Sequence, residues 1–118
     1  MNAEQPRLWL DDERDPRDPF IQENYGSKPD DIWVKTVEEA IDLVKSGRVR
    51  VLSLDHDLGE GPSGYEFCKW FEEECFHGRL DFQAFRFFIH TNNPVGRMNM
   101  EQCLEAIRRR GDGQISSS

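Results

Sequence analysis

The sequence predicts an α/β fold: one domain built on a parallel sheet of about four strands, ordered 2-1-3-4, with helices on both faces. Three observations carry that prediction. Apolar runs alternate with amphipathic stretches along the chain, the pattern of parallel strands joined by crossovers. The run from Val49 to Leu54 is apolar apart from Arg50 and Ser53, as befits a strand covered on both faces. Three runs also end abruptly in polar residues: Leu8-Trp9-Leu10 in Asp11-Asp12-Glu13, Val51-Leu52-Ser53-Leu54 in Asp55-His56-Asp57-Leu58-Gly59, and Phe87-Phe88-Ile89 in His90-Thr91-Asn92-Asn93. In a doubly wound sheet with right-handed crossovers such ends meet at one edge, where open α/β sheets place ligands.

Taken in order, the first strand is followed by residues 14–31, a charged stretch broken by prolines and by Gly26-Ser27-Lys28-Pro29. Asp18 can cap a short helical turn that has Pro19 at its first position, but the rest reads as loop, so the first crossover helix is largely replaced. A connection this long is either a lid over a site or surface decoration. Ile32-Trp33-Val34 forms a short second strand. Thr36-Val37-Glu38-Glu39 is a capping box opening a helix that buries Val37, Ala40, Ile41 and Val44 and stops at Ser46-Gly47. After the central strand, Ser63-Gly64-Tyr65-Glu66 repeats the capping pattern ahead of a helix bearing Phe67, Trp70, Phe71 and Cys75, which ends near His77-Gly78. Phe85 to Ile89 is the fourth strand, and Met100, Cys103, Leu104 and Ile107 mark a last helix with Asn99 as its expected cap. No fifth strand is evident, and residues 111–118 read as a disordered tail.

Composition narrows the function. The 118 residues suit one domain with its core over about residues 7–108. A net charge of -8 argues against a broad nucleic-acid surface, which needs a basic stripe. The one dense basic cluster, Arg108-Arg109-Arg110, reads as helix C-terminal cations or as a phosphate contact. Cys68, Cys75 and Cys103 form no CxxC pair and read as reduced, half-buried or core thiols, which together with the absence of a leader or membrane span predicts a cytoplasmic protein.

The polar strand ends suit phosphate chemistry. Asp11, Asp12 and Asp55 would raise one another's pKa unless a cation sits among them, and hard divalent ions take such oxygens; the bland reading is that they cap turns. Asp57 suits either the same cluster or a cap on the following turn. His56 and His90 are either hydrogen-bonded structural residues or proton-transfer groups oriented by carboxylates. The segment Asn92-Asn93-Pro94-Val95-Gly96-Arg97-Met98-Asn99 is either an ordinary turn and cap or a phosphate loop, with backbone donors ahead of a helix and Arg97 as a charged partner. Trp9, Trp33, Trp70 and the run of phenylalanines from Phe82 to Phe88 read as core packing rather than as a base-stacking platform.

Acids after the first strand, an Asp after the third and a small polar residue after the fourth resemble the response-regulator receiver domain. A phosphoacceptor receiver also carries a lysine after its fifth strand, and here the last lysine is Lys69. The motifs Leu10-Asp11-Asp12-Glu13-Arg14, Ser53-Leu54-Asp55-His56-Asp57-Leu58-Gly59 and His90 to Met100 instead resemble the cyclic-phosphate-processing offshoot of that fold. The resemblance implies a receiver-like (flavodoxin-like) sheet and action on cyclic phosphates. Carried over by motif, it implies that Asp11, Asp12 and Asp55 hold a metal, magnesium or manganese, that His56, Asp57 and His90 transfer protons, and that Asn93 and Asn99 position phosphate. Glu13, Arg14, Thr91, Asn92, Gly96 and Arg97 lie in the same motifs as candidate substrate contacts.

The resulting expectation is a metal-assisted phosphodiesterase acting on a small cyclic nucleotide or a cyclic-phosphate RNA end. A metal-free route would use His56 and His90 as base and acid. Two readings from other classes are a protein that sequesters a cyclic nucleotide unchanged, and a degenerate receiver that serves as a protein interaction module.

Overall fold

A computed structural model describes residues 6–117, with side chains described to Arg110. The chain runs β1 (Arg7–Leu10), α1 (Pro19–Tyr25), β2 (Ile32–Val34), α2 (Val37–Lys45), β3 (Val51–Leu54), α3 (Gly64–Phe76), a 3-10 turn (Phe82–Ala84), β4 (Arg86–Ile89) and α4 (Pro94–Ser117). The strands are all parallel and ordered β2-β1-β3-β4, as the sequence predicts.

Register places the site. Leu10, Leu54 and Ile89 lie side by side, so the residues that follow them, Asp11, Asp55 and His90, come out in one row at the sheet's C-terminal edge. Alternation then sorts the strands' side chains. Leu8, Leu10, Leu52, Leu54, Phe87 and Ile89 share the face that forms the main core with Val37, Ala40 and Val44 of α2, Phe67 and Phe71 of α3, and Met100 and Leu104 of α4. Arg7, Trp9, Ser53 and Phe88 share the other face, where the 14–31 segment is tied down: Trp9 Nε1 donates to Arg14 O at 2.9 Å, and an Arg7 amine donates to Gly26 O at 2.7 Å. Helices thus cover both faces unequally, and Phe88 remains 43% exposed.

The first crossover carries the short helix expected at Asp18-Pro19 within an otherwise irregular segment: Asp18 accepts from Phe20 N, Pro19 fills the first position, and Gly26 closes α1 at φ 80. Seven residues with one buried apolar side chain, Ile21, give too little helical period to stand out in sequence. Ser63 occupies the N-cap of α3 but its hydroxyl makes no capping bond; the turn is held by Gly64 N donating to His56 O at 2.8 Å. Asn99 is not the cap of α4. Asn93 is, its Oδ1 accepting from Gly96 N at 2.9 Å with Pro94 at the first helical position, so the expected loop is already two turns of helix. Backbone helix also continues through Gly111 and Gly113 to Ser117, where a disordered tail was expected: each glycine costs about 1 kcal/mol against alanine but does not block a helix. The Arg108-Arg109-Arg110 cluster therefore lies within α4, its members paired with Glu105 and Glu72.

Trp9 is fully buried, while Trp33 and Trp70 are half-buried. All three cysteines are free, and burial pushes the thiols up, to about 11 for Cys75 and Cys103, which favours the protonated form. No described helix is long and apolar enough to cross a membrane.

Candidate functional site

Asp11 is fully buried at the end of β1, and its carboxylate is saturated. Oδ1 accepts from the backbone N–H groups of Glu13 and Arg14, each at 2.9 Å; Oδ2 accepts from Arg14 Nη1 and His90 Nε2, each at 3.1 Å. Burial alone pushes the Asp11 carboxyl up, but these donors outweigh it and hold it below the usual range. Because an ionised carboxylate only accepts, His90 Nε2 donates to it, and Nδ1 is hydrogen-bonded with the Ser53 hydroxyl at 2.8 Å. The imidazole is stacked on Trp9. His90 is 6% exposed, and both of its ring nitrogens are occupied.

Asp55 behaves oppositely. Burial, and then the neighbouring Asp11 charge, push its carboxyl up despite a bond from the Thr91 hydroxyl and one from His56 N at 2.8 Å. Arg14 Nη1 lies 3.4 Å from Asp55 Oδ2, so a single guanidinium bridges both buried acids, and the pair in turn keeps Arg14 protonated. Asp12 is half-buried, and among the described residues nothing hydrogen-bonds to its carboxylate.

Asp12, Glu13, Arg14, Asp55, Asp57, Thr91 and Asn92 line a cleft of about 210 Å³ together with Gly59. Asp11 and His90 are buried beside these residues and do not line the cleft themselves. His56 and Asn93 stand at the rim: His56 Nδ1 is 3.0 Å from Asp57 Oδ1, a bond that lowers the Asp57 carboxyl, and Asn93 Nδ2 reaches both Asp57 oxygens at 3.4 Å. Gly96 lies under the His56 ring, where an added Cβ would fall 2.4 Å from Cγ. Two predicted contacts are not brought into the cleft. Arg97 turns away to the β4 end, donating to Ile89 O at 2.7 Å, and Asn99 is exposed on α4.

Oxygen ligand atoms of Asp11, Asp12 and Asp55 lie within 4.8 Å of one another. Opposed oxygens around a hard divalent ion are about 4–5 Å apart, so the set has the composition and the spacing to hold one. The half-buried Asp12 carboxylate, with no hydrogen-bond partner among the described residues, is free to join the two buried acids around such an ion.

Four residues of the site escaped the sequence reading. Tyr25 closes one side: its hydroxyl accepts from Asn92 Nδ2 at 2.8 Å, and the Arg14 guanidinium lies 4.3 Å over its ring. Ser53 and Trp9 fix His90. Gly64 allows the β3 end to sit against α3, since a Cβ there would lie 1.9 Å from Asp55 O. Only Ser53 left a signal, as a lone polar residue on an inner strand.

A parallel sheet ordered β2-β1-β3-β4, with acids after its first and third strands, defines a receiver-like α/β domain. Residues 6–106 match the model of the cyclic-phosphate processing receiver domain, and the chain belongs to that family. No curated protein matches it.

Proposed function

We propose that the protein is a phosphodiesterase that opens a cyclic phosphate, in a cyclic nucleotide or at an RNA end, with a divalent ion held by Asp11, Asp12 and Asp55. The observation that carries this reading is the three-carboxylate cluster beside a cleft whose lining offers phosphate donors in the Arg14 guanidinium and the Asn92 amide. When bound, magnesium or manganese there neutralises charge on the phosphoryl oxygens and acidifies water. The chain's own groups do the rest. Arg14 and Asn92 bind and orient the phosphate. His56, oriented by Asp57, has its Nε2 without a partner among the described residues and protonates the departing oxygen. His90 has no nitrogen to spare and acts on Asp11 as a positioning residue.

The test is incubation with 2',3'-cyclic nucleotides, 3',5'-cyclic nucleotides, cyclic dinucleotides and an RNA bearing a 2',3'-cyclic phosphate, with products identified by mass. Ring-opened product that vanishes in EDTA and returns with magnesium or manganese supports the proposal. Turnover that survives EDTA replaces it with the two-histidine route; intact ligand recovered from denatured protein replaces it with sequestration.

A further inference from the structure

The same guanidinium occupies the place an ion would take. Arg14 Nη1 is 3.1 Å from Asp11 Oδ2 and 3.4 Å from Asp55 Oδ2, and among the described residues it is the one cation bonded to both buried acids. An ion that took those same two oxygens at about 2.0–2.6 Å, closer than the guanidinium nitrogen, would compete with it for them, and two cations so close repel. The backbone of residue 14 is immobilised, its N–H held by Asp11 Oδ1 and its carbonyl by Trp9 Nε1, both at 2.9 Å. Only the side chain can give way. It is kept in place by the Tyr25 ring above it, and that ring is fixed through its hydroxyl to Asn92, on the loop that carries the opposite wall of the cleft.

We propose that Arg14 is a built-in competitor of the divalent ion: ion binding expels its guanidinium from Asp11 and Asp55, and the Arg14–Tyr25–Asn92 contact opens with it. The inference rests on the ion reading above and adds a consequence to it. Arg14 offsets the charge of the two buried acids, and an ion that takes its place frees a guanidinium next to the cleft for the phosphate. Ion and phosphate then bind cooperatively, since each favours the state in which Arg14 has left the acids.

The probe is the metal alone. Magnesium and manganese are titrated calorimetrically into the full chain, with tryptophan fluorescence followed in parallel, because Trp9 stacks on His90, which bonds to Asp11 Oδ2. Arg14→Gln is expected to bind either ion at least about tenfold more tightly than the parent, from the loss of a charge about 3–4 Å from the site. Tyr25→Leu, which leaves the acids and Arg14 in place, is expected to shift affinity in the same direction by a smaller factor. Parent and Arg14→Gln binding equally well, or Arg14→Gln binding less well while circular dichroism shows it folded, overturns the competition and leaves the ion reading standing. Binding by Arg14→Gln with none by the parent supports the competition and overturns the ion-assisted reaction. If Arg14→Gln is unfolded, Tyr25→Leu decides by the same criterion. No binding by any of the proteins overturns both.

Discussion

The imidazole of His90 lies flat on the indole of Trp9, with 3.7 Å between ring centroids and 3° between planes. Stacking fixes the ring plane, and the Ser53 and Asp11 bonds fix its rotation, so the histidine is a strut between the strand ends. His90→Ala would leave a cavity under Trp9, the Ser53 hydroxyl without its ring partner, and Asp11 Oδ2 with Arg14 Nη1 as its remaining donor. The expected loss is about 2–4 kcal/mol in urea unfolding at pH 7, against about 1 kcal/mol for Ser53→Ala, which removes a single bond. A His90→Ala protein as stable as the parent would show that the strut carries no load.

Asp55 should cost the fold stability in return for function. Its folded pKa is raised, by burial and then by Asp11, so the folded state binds the proton more tightly than the unfolded chain does. Its contribution is therefore most favourable below the unfolded value, near pH 4, and declines as pH rises through the folded value. Asp11 has the opposite sign: its lowered pKa gives stability above about pH 4 that is lost on further acidification. At pH 7, Asp55→Asn is expected to melt at or above the parent temperature while losing ion binding, and Asp11→Asn is expected to melt lower. Equal destabilisation of both variants would contradict the assignment.

Much of this geometry was legible in the sequence because it follows from register. Three apolar runs, each ending in acids or histidine, fixed Asp11, Asp55 and His90 to one edge once the strands were taken as parallel. Long-range tertiary contacts were not legible. Tyr25 reaches Asn92 across 67 residues of chain, and nothing local to either one marks the pair. Asn93-Pro94 was a missed local signal: an N-cap amide followed by proline opens a helix, and reading Gly96 as a loop residue hid it.

Gly64 and Gly96 both lie against the site, and they should respond differently to alanine. At Gly64 the new Cβ meets backbone, 1.9 Å from Asp55 O and 3.0 Å from Asp55 C, so β3 and α3 must separate. Gly64→Ala is expected to lose about 3 kcal/mol or more, measured by urea unfolding. At Gly96 the three nearest atoms to the Cβ belong to a side chain, the His56 ring atoms Cγ, Cδ2 and Nδ1 at 2.4 to 2.8 Å. The ring can swing aside, so Gly96→Ala should fold.

That difference makes Gly96→Ala a probe of which histidine moves the proton. His56 is partly exposed and bonded to Asp57 at 3.0 Å, whereas His90 is enclosed with both nitrogens engaged. If His56 delivers the proton, His56→Ala should lower kcat by about 10²–10⁴ with little change in stability. Gly96→Ala, by displacing the ring without removing it, should lower kcat less and leave KM near that of the parent. A substrate whose leaving group needs no proton, such as a nitrophenyl phosphodiester, should recover most of the lost rate in both variants, because the missing step is no longer required. His90→Ala should recover little on that substrate, since its defect is in Asp11. Equal recovery by all three variants would assign proton delivery to neither ring.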